Sequence, residues 1–164
     1  MKKYDLIVWD WNGTLLDDVY IALEAVNRTL RKRNMNEIDI EQYYSFVDMP
    51  IIRFYEHIFD LDKVPFSVLS KEFTEFTEAQ ESNLKLHDGV IEKLQDFKCR
   101  GCRQIIVSAA HIEQIKYYLE KFGIAEYFEA VLGADDFLAE SKIERAEKYF
   151  AENDINCDNY KRRS

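Results

Sequence analysis

The sequence predicts an α/β protein, a parallel sheet with helical crossovers that is interrupted early by a block of helices. Three observations carry that expectation. A short apolar run, Leu6-Ile7-Val8-Trp9, leads into Asp10 and a sharp turn at Gly13-Thr14. This is the pattern of a buried strand that delivers a carboxylate at its C-terminal end. Residues 17–85 carry helical periodicity without strand alternation. Beyond His87-Asp88-Gly89 the pattern becomes helix, strand, helix, strand, helix, which signals parallel pairing through right-handed crossovers. The expected architecture is a Rossmann-like core with a helical insertion after its first strand.

Each element follows from a local signal. Residues 18–33 read as a helix because Val19, Leu23, Val26 and Leu30 fall on one stripe at spacings of three and four. Two short helices, 40–47 and 51–59, flank Met49-Pro50. Pro65 suits the first turn of a further helix that buries Val68, Leu69, Phe73 and Phe76. A helix over 89–100 stops at Gly101, and the strand Gln104-Ile105-Ile106-Val107 follows. A helix over 111–122 closes at Gly123, Glu129-Ala130-Val131-Leu132 is a short strand, and 140–152 is the last helix. The domain expectation is a discontinuous core of residues 1–16 and 86–164, with a helical block over 17–85.

Bulk properties narrow the function. A chain of 164 residues, 47% hydrophobic and 14% aromatic, can build a real core. A net charge of −9 speaks against nucleic-acid and anionic-membrane partners, which require a basic patch. No apolar run approaches the length of a membrane span, and Met1-Lys2-Lys3-Tyr4-Asp5 leads straight into a strand rather than a signal peptide. A cytoplasmic location is the expectation. Cys99-Arg100-Gly101-Cys102 spells C-x-x-C, but no second Cys or His pair completes a zinc set. Cys102, at a helix-to-strand junction, reads as a small apolar residue.

The constellation at the strand ends is the informative part. In an open α/β sheet, ligands bind outside the carboxyl ends of the strands. A carboxylate there, followed by a turn whose N–H groups can face an anion, suits an acyl-phosphate nucleophile. Asp10-Trp11-Asn12-Gly13-Thr14 resembles motif I, Asp-x-Asp-Gly-Thr, of the haloacid dehalogenase superfamily. The wording from Trp9 to Asp17 resembles its phosphoglycolate-phosphatase-like branch. Ser108, ending Ile105-Ile106-Val107, matches the family's strand-end Ser or Thr, and Lys142 after Ser141 matches its lysine near a helix start.

The resemblance implies a Rossmann-like sheet core with the helical block as a cap over the site. It also implies a phosphomonoester hydrolase acting on a small phosphorylated metabolite through an aspartyl-phosphate. Asp10 is then the nucleophile, and Asn12, Ser108 and Lys142 complete the catalytic set. Gly13, Thr14, Ser108, Ala109 and Lys142 would bind the phosphoryl group. Mg²⁺ would lie on Asp10 and the main-chain carbonyl of Asn12. His111 reads as a helix-start residue. Ser108 read alone suits a helix N-cap equally well. Tyr43, Tyr44, Arg53 and His57 are the cap's candidates for substrate contact or simply its core.

Two departures from the family pattern carry consequences. Asn12 stands where the family has the aspartate that protonates the leaving oxygen, and a carboxamide cannot exchange protons in that way. Losing a general acid/base costs about 10²–10⁴ in rate, so slow turnover is expected. The family's fourth motif, an acidic pair on the next core strand, is also missing, because the chain stops at Lys161-Arg162-Arg163-Ser164. Asp135-Asp136 follow the third strand and suit a turn. The expected core is therefore C-terminally incomplete, with the strand carrying Asp10 as an exposed edge that invites self-association. The alternative function is a catalytically inactive relative or fragment that binds a ligand or a protein partner. A third is a transferase or mutase that passes the phosphoryl group to a second substrate.

Overall fold

The computed structural model describes residues 5–47, 51–134 and 142–155. Its elements in chain order are β1 (Leu6–Trp9), β2 (Leu16–Asp17), α1 (Val19–Arg31), α2 (Ile40–Phe46), α3 (Ile51–Ile58), α4 (Phe66–Ala79), β3 (Lys85–Leu86), α5 (Val90–Cys99), β4 (Arg103–His111), α6 (Ile112–Lys121), β5 (Ala130–Ala134) and α7 (Lys142–Glu152). Short 3₁₀ turns occupy Glu81–Asn83 and Ala125–Tyr127. The chain divides into two compact units, Met1–Leu16 with Leu86–Ser164, and Asp17–Lys85. The two crossings between them, β2 and β3, pair as a two-stranded sheet.

The first unit is a parallel sheet of order β1-β4-β5. Central β4 carries the apolar run Ile105-Ile106-Val107, as suits a strand covered on both faces. Ile105 and Ile106 are fully buried and Val107 is 2% exposed. Helices α5, α6 and α7 pack against it. Gln104 is a buried polar residue within this strand, and both ends of its amide are used. Its Nε2 donates to the Leu94 carbonyl at 3.0 Å, and its Oε1 accepts from Trp9 Nε1 at 3.0 Å. One side chain thereby ties β1, β4 and α5 together, as a buried amide must to offset its desolvation.

β1 departs from the buried strand that its sequence suggests. It pairs only with β4 among the described residues, and Val8 remains 36% exposed. Its run of apolar residues therefore belongs to a sheet edge. At the other side, β5 approaches the β4–α6 junction very closely. A Cβ on Gly133 would lie 2.7 Å from Ile112 Cα and 2.9 Å from the Ala110 carbonyl oxygen. Only glycine fits there.

The second unit is all helical apart from its boundary strands. Val26 and Leu30 of α1, Phe54 and Tyr55 of α3, Phe59 just after it, and Leu69 of α4 form its buried core. The α1–α4 contact is reinforced by Glu72, which accepts from Arg33 at 2.8 Å and pairs with Lys32 at 3.4 Å. The Arg33 hydrogen bond holds the Glu72 carboxyl below the usual glutamate range. Asn27 clamps the loop after α1: its Nδ2 donates to the Ile38 carbonyl, and its Oδ1 accepts from the Ile38 N–H, both at 2.9 Å. A reciprocal Asp39–Gln42 capping box then starts α2. Val68 is 43% exposed, so the buried stripe of α4 runs through Leu69 and the half-buried Phe73 and Phe76. A Val next to Leu69 sits about 100° around the helix, too far to share its face.

α5 ends at Cys99, which is exposed, and Cys102 is half-buried.

Candidate functional site

Parallel pairing places the C-terminal ends of β1, β4 and β5 at one end of the sheet. Trp9 is opposite Ile106, so Asp10 and Ser108 both emerge at that end. Asp10 is fixed by its neighbours. Its Oδ1 accepts from the Trp11 N–H at 2.8 Å, and Trp11 is anchored at 1% exposure. The chain then turns tightly, with the N–H groups of Thr14, Leu15 and Leu16 converging on the Trp11 carbonyl at 3.0–3.3 Å. Gly13 takes φ +67°, the left-handed backbone that glycine adopts without strain. The turn's amides after Gly13 are thus spent on holding the turn itself. Asn12 is exposed and bridges to Leu16.

Lys142, the first residue of α7, reaches the same carboxylate. Its Nζ lies 2.7 Å from Asp10 Oδ1, and the two side chains are 38% and 44% exposed. A half-exposed ion pair contributes about 0–1 kcal/mol to stability. The stability gain alone is a weak reason to hold an ammonium against a strand-end carboxylate.

Ser108 is 1% exposed. The β4–β5 register shifts between Val107 and His111, so Ser108, Ala109 and Ala110 lie in an irregular stretch of the kind that re-aims side chains beside sites. The Ser108 Oγ accepts from the Ala110 N–H at 3.1 Å, and Ala109 is exposed. The N-cap of α6 is His111, whose ring nitrogen accepts from the Glu113 N–H at 3.4 Å. The hydroxyl of Ser108 therefore stabilises the strand end rather than capping the helix.

Arg145 is the residue that the sequence did not bring forward. It lies one turn after Lys142 on α7, and its guanidinium donates to the Ser108 carbonyl at 2.7 Å. Its i+3 spacing from Lys142 was the available signal. Asp10 and Lys142 are in direct contact, and Ser108 joins them through Arg145. Ser141, Asp135, Asp136 and residues 156–164 lie outside the described residues.

In the helical unit, Tyr43 packs edge-on against Phe54 with ring centroids 5.3 Å apart. Burial pushes its hydroxyl up to about 12. It is a core residue. Tyr44 is 59% exposed and Arg53 is exposed. His57 stacks on Phe46 at 5.7 Å, and both line a cavity of about 440 Å³ with Leu30, Met35 and Ile38.

Among the described residues, no group of three His, Cys, Asp or Glu side chains could hold a metal. Mg²⁺ ordinarily takes one or two carboxylates, with waters and phosphate oxygens completing its shell. Asp10 and the Asn12 carbonyl are hard oxygen donors of the right kind, and they fit Mg²⁺ at the lower limit of that set. No described helix is long and apolar enough to cross a membrane.

Comparison with known proteins identifies the family. The profile of the haloacid dehalogenase-like hydrolases matches residues 7–156. The chain is 29% identical to the phosphoglycolate phosphatase of Photobacterium profundum over 149 residues, 84% of this chain and 65% of that protein's length. It is 27% identical to the phosphoglycolate phosphatase of Colwellia psychrerythraea over 165 residues, 95% of this chain and 73% of that one. Among solved structures, a haloacid dehalogenase-like hydrolase from Streptococcus pneumoniae superposes with a TM-score of 0.78 at 15% identity. That alignment covers 94% of this chain and 72% of the other. The fold, the strand-end position of Asp10 and a profile match over nearly the whole chain place this protein in the haloacid dehalogenase-like hydrolase family.

Proposed function

We propose that this chain is a phosphatase acting on a small phosphomonoester, with Asp10 as nucleophile. The observation that carries the proposal is the Lys142–Asp10 contact of 2.7 Å at the carboxyl end of the sheet. It holds an ionised carboxylate in place beside a cation suited to a phosphoryl group. An Asp10 oxygen attacks phosphorus in line, and the bond from phosphorus to the leaving oxygen breaks. The leaving oxygen takes its proton from water, because Asn12 has none to give. Water then attacks the aspartyl-phosphate at phosphorus and releases inorganic phosphate and the free carboxylate. Lys142 balances charge on the transferring group throughout, and the Ser108–Ala110 bend and Gly13-Thr14 turn shape the space around it. Mg²⁺, held by Asp10 and the Asn12 carbonyl, would neutralise the phosphate oxygens.

The kinship to two phosphoglycolate phosphatases supports a small phosphorylated metabolite as substrate. The helical unit is the natural source of its selectivity as a cap. Asn12 supports a second reading, a relative that binds phosphate ligands and turns them over too slowly to matter. Titration with beryllium fluoride and Mg²⁺, followed by calorimetry, tests the nucleophile. The expected result is saturable binding that Asp10→Asn abolishes. A folded protein that binds none of this phosphoryl mimic would refute the assignment of Asp10.

A further inference from the structure

We propose that Arg145 is a positioning residue that sets Lys142 against Asp10. The proposal rests on the phosphatase reading for its catalytic consequence, and on geometry alone for its structural one. Lysine carries its charge on a flexible stem with several rotatable bonds, so its ammonium is poorly placed unless its backbone is pinned. Lys142 is the first residue of α7, the position most prone to fray. It is also half-exposed, so packing does little to fix it.

Arg145 supplies the missing restraint. It sits three residues on, and residues at that spacing lie on one face of a helix. Its guanidinium donates to the Ser108 carbonyl at 2.7 Å, and Ser108 is immobilised by burial and by the Oγ bond to the Ala110 N–H. The bond is charge-assisted, short and directed at a carbonyl in an irregular stretch of β4. The first turn of α7 is thereby tied to the end of β4 while Lys142 reaches the end of β1. The end of β1, the distal part of β4 and the start of α7 converge through two cations three residues apart. A lysine in place of Arg145 would keep the charge but lose the planar fork that fixes direction.

Two measurements on the full chain test this. The first is acetylation of Lys142 by limiting acetic anhydride, read by mass spectrometry, which needs no turnover. Arg145→Met should raise the labelling of Lys142 several-fold toward that of Asp10→Asn, with Arg145→Lys in between. The second is steady-state phosphate release. Arg145→Met should lower kcat roughly 10- to 100-fold, the scale of a misplaced catalytic group, while KM changes little and Arg145→Lys recovers part of the loss. Should Arg145→Met fail to fold, Arg145→Lys carries both comparisons against wild type. Unchanged Lys142 labelling in a folded variant would overturn the proposal. Absence of Asp10-dependent phosphate release in wild type, with the labelling difference intact, would instead overturn the phosphatase reading and leave the positioning role standing.

Discussion

Lys142 Nζ and Asp10 Oδ1 lie 2.7 Å apart, although their residues are separated by most of the chain. The oxygen that receives the ammonium also accepts the Trp11 N–H. Asp10 is therefore oriented from both sides through Oδ1, and Oδ2 takes neither of these bonds.

Because the ion pair is half-exposed, Lys142→Met is expected to leave the melting temperature within a few degrees of wild type, matching a contribution of about 0–1 kcal/mol. It should nevertheless lower kcat by about 10²–10³, the usual cost of removing a donor aimed at developing charge. Thermal melts and phosphate release on the same samples separate the two effects. A large loss of stability with little loss of rate would make the pair structural.

Asn12→Asp should raise turnover. Restoring a carboxyl two residues after the nucleophile supplies a proton donor for the leaving oxygen, which is worth about 10²–10⁴ in rate. The gain should be largest for substrates with poor leaving groups, and a comparison of an alkyl with an aryl phosphate reads it. Equal or lower rates for both would show that the proton is not what limits the reaction.

Gly133→Ala should destabilise the α/β unit by about 1–3 kcal/mol, the typical cost of overpacking. The added methyl meets main-chain atoms, Ile112 Cα at 2.7 Å and the Ala110 carbonyl at 2.9 Å, and main chain has little room to yield. A shift in the denaturant midpoint at unchanged slope would register it. The same substitution is expected to disturb the Ser108–Ala110 bend and so to lower phosphate release.

Alkaline pH should loosen the helical unit first. Burial pushes the Tyr43 hydroxyl up from 10 to about 12, with Asp18 adding to the shift, and burial raises Tyr55 as well. A raised folded-state value means that stability is intact below pH 10 and is lost as pH rises through about 12, because the unfolded chain ionises first. Tyrosinate absorbance should show Tyr43 and Tyr55 titrating late, and Tyr43→Phe should remove one late step. At the other extreme, Glu129 is held below the usual glutamate range by its Arg103 hydrogen bonds and by the Tyr149 hydroxyl. That contribution is present above the ordinary glutamate value and disappears as acid carries the pH through the lowered one, and half-exposure keeps it small.

Much of the fold was legible because its signals are local. Gly101 and Gly123 mark helix ends, the Leu23, Val26 and Leu30 stripe marks α1, and Ile105-Ile106-Val107 announces a strand covered on both faces. β1 was legible as a strand, but its own residues do not mark an edge, since Val8 is apolar whichever side its neighbours occupy. Asp10 came from its strand-end position and, like Lys142, from the family resemblance; their contact could not, because it depends on how α7 meets the sheet. Ser108 was read as the strand's end, whereas β4 runs on to His111 with its register broken after Val107. Its hydroxyl turned inward to Ala110, a consequence of the register break with β5 that no single strand encodes. Arg145 left only its i+3 spacing from Lys142 as a signal: its partner is a backbone carbonyl, and carbonyls leave no trace in sequence. β2 and β3, at two residues each, are too short to carry a period.

Phosphate release from a panel of small phosphomonoesters, with and without Mg²⁺, on this chain and on Asp10→Asn, tests the central claim most directly. The expected result is slow, Mg²⁺-dependent turnover that vanishes in Asp10→Asn. Turnover that survives the substitution, or none at all from a demonstrably folded wild-type chain, would contradict a phosphatase built on Asp10 and Lys142.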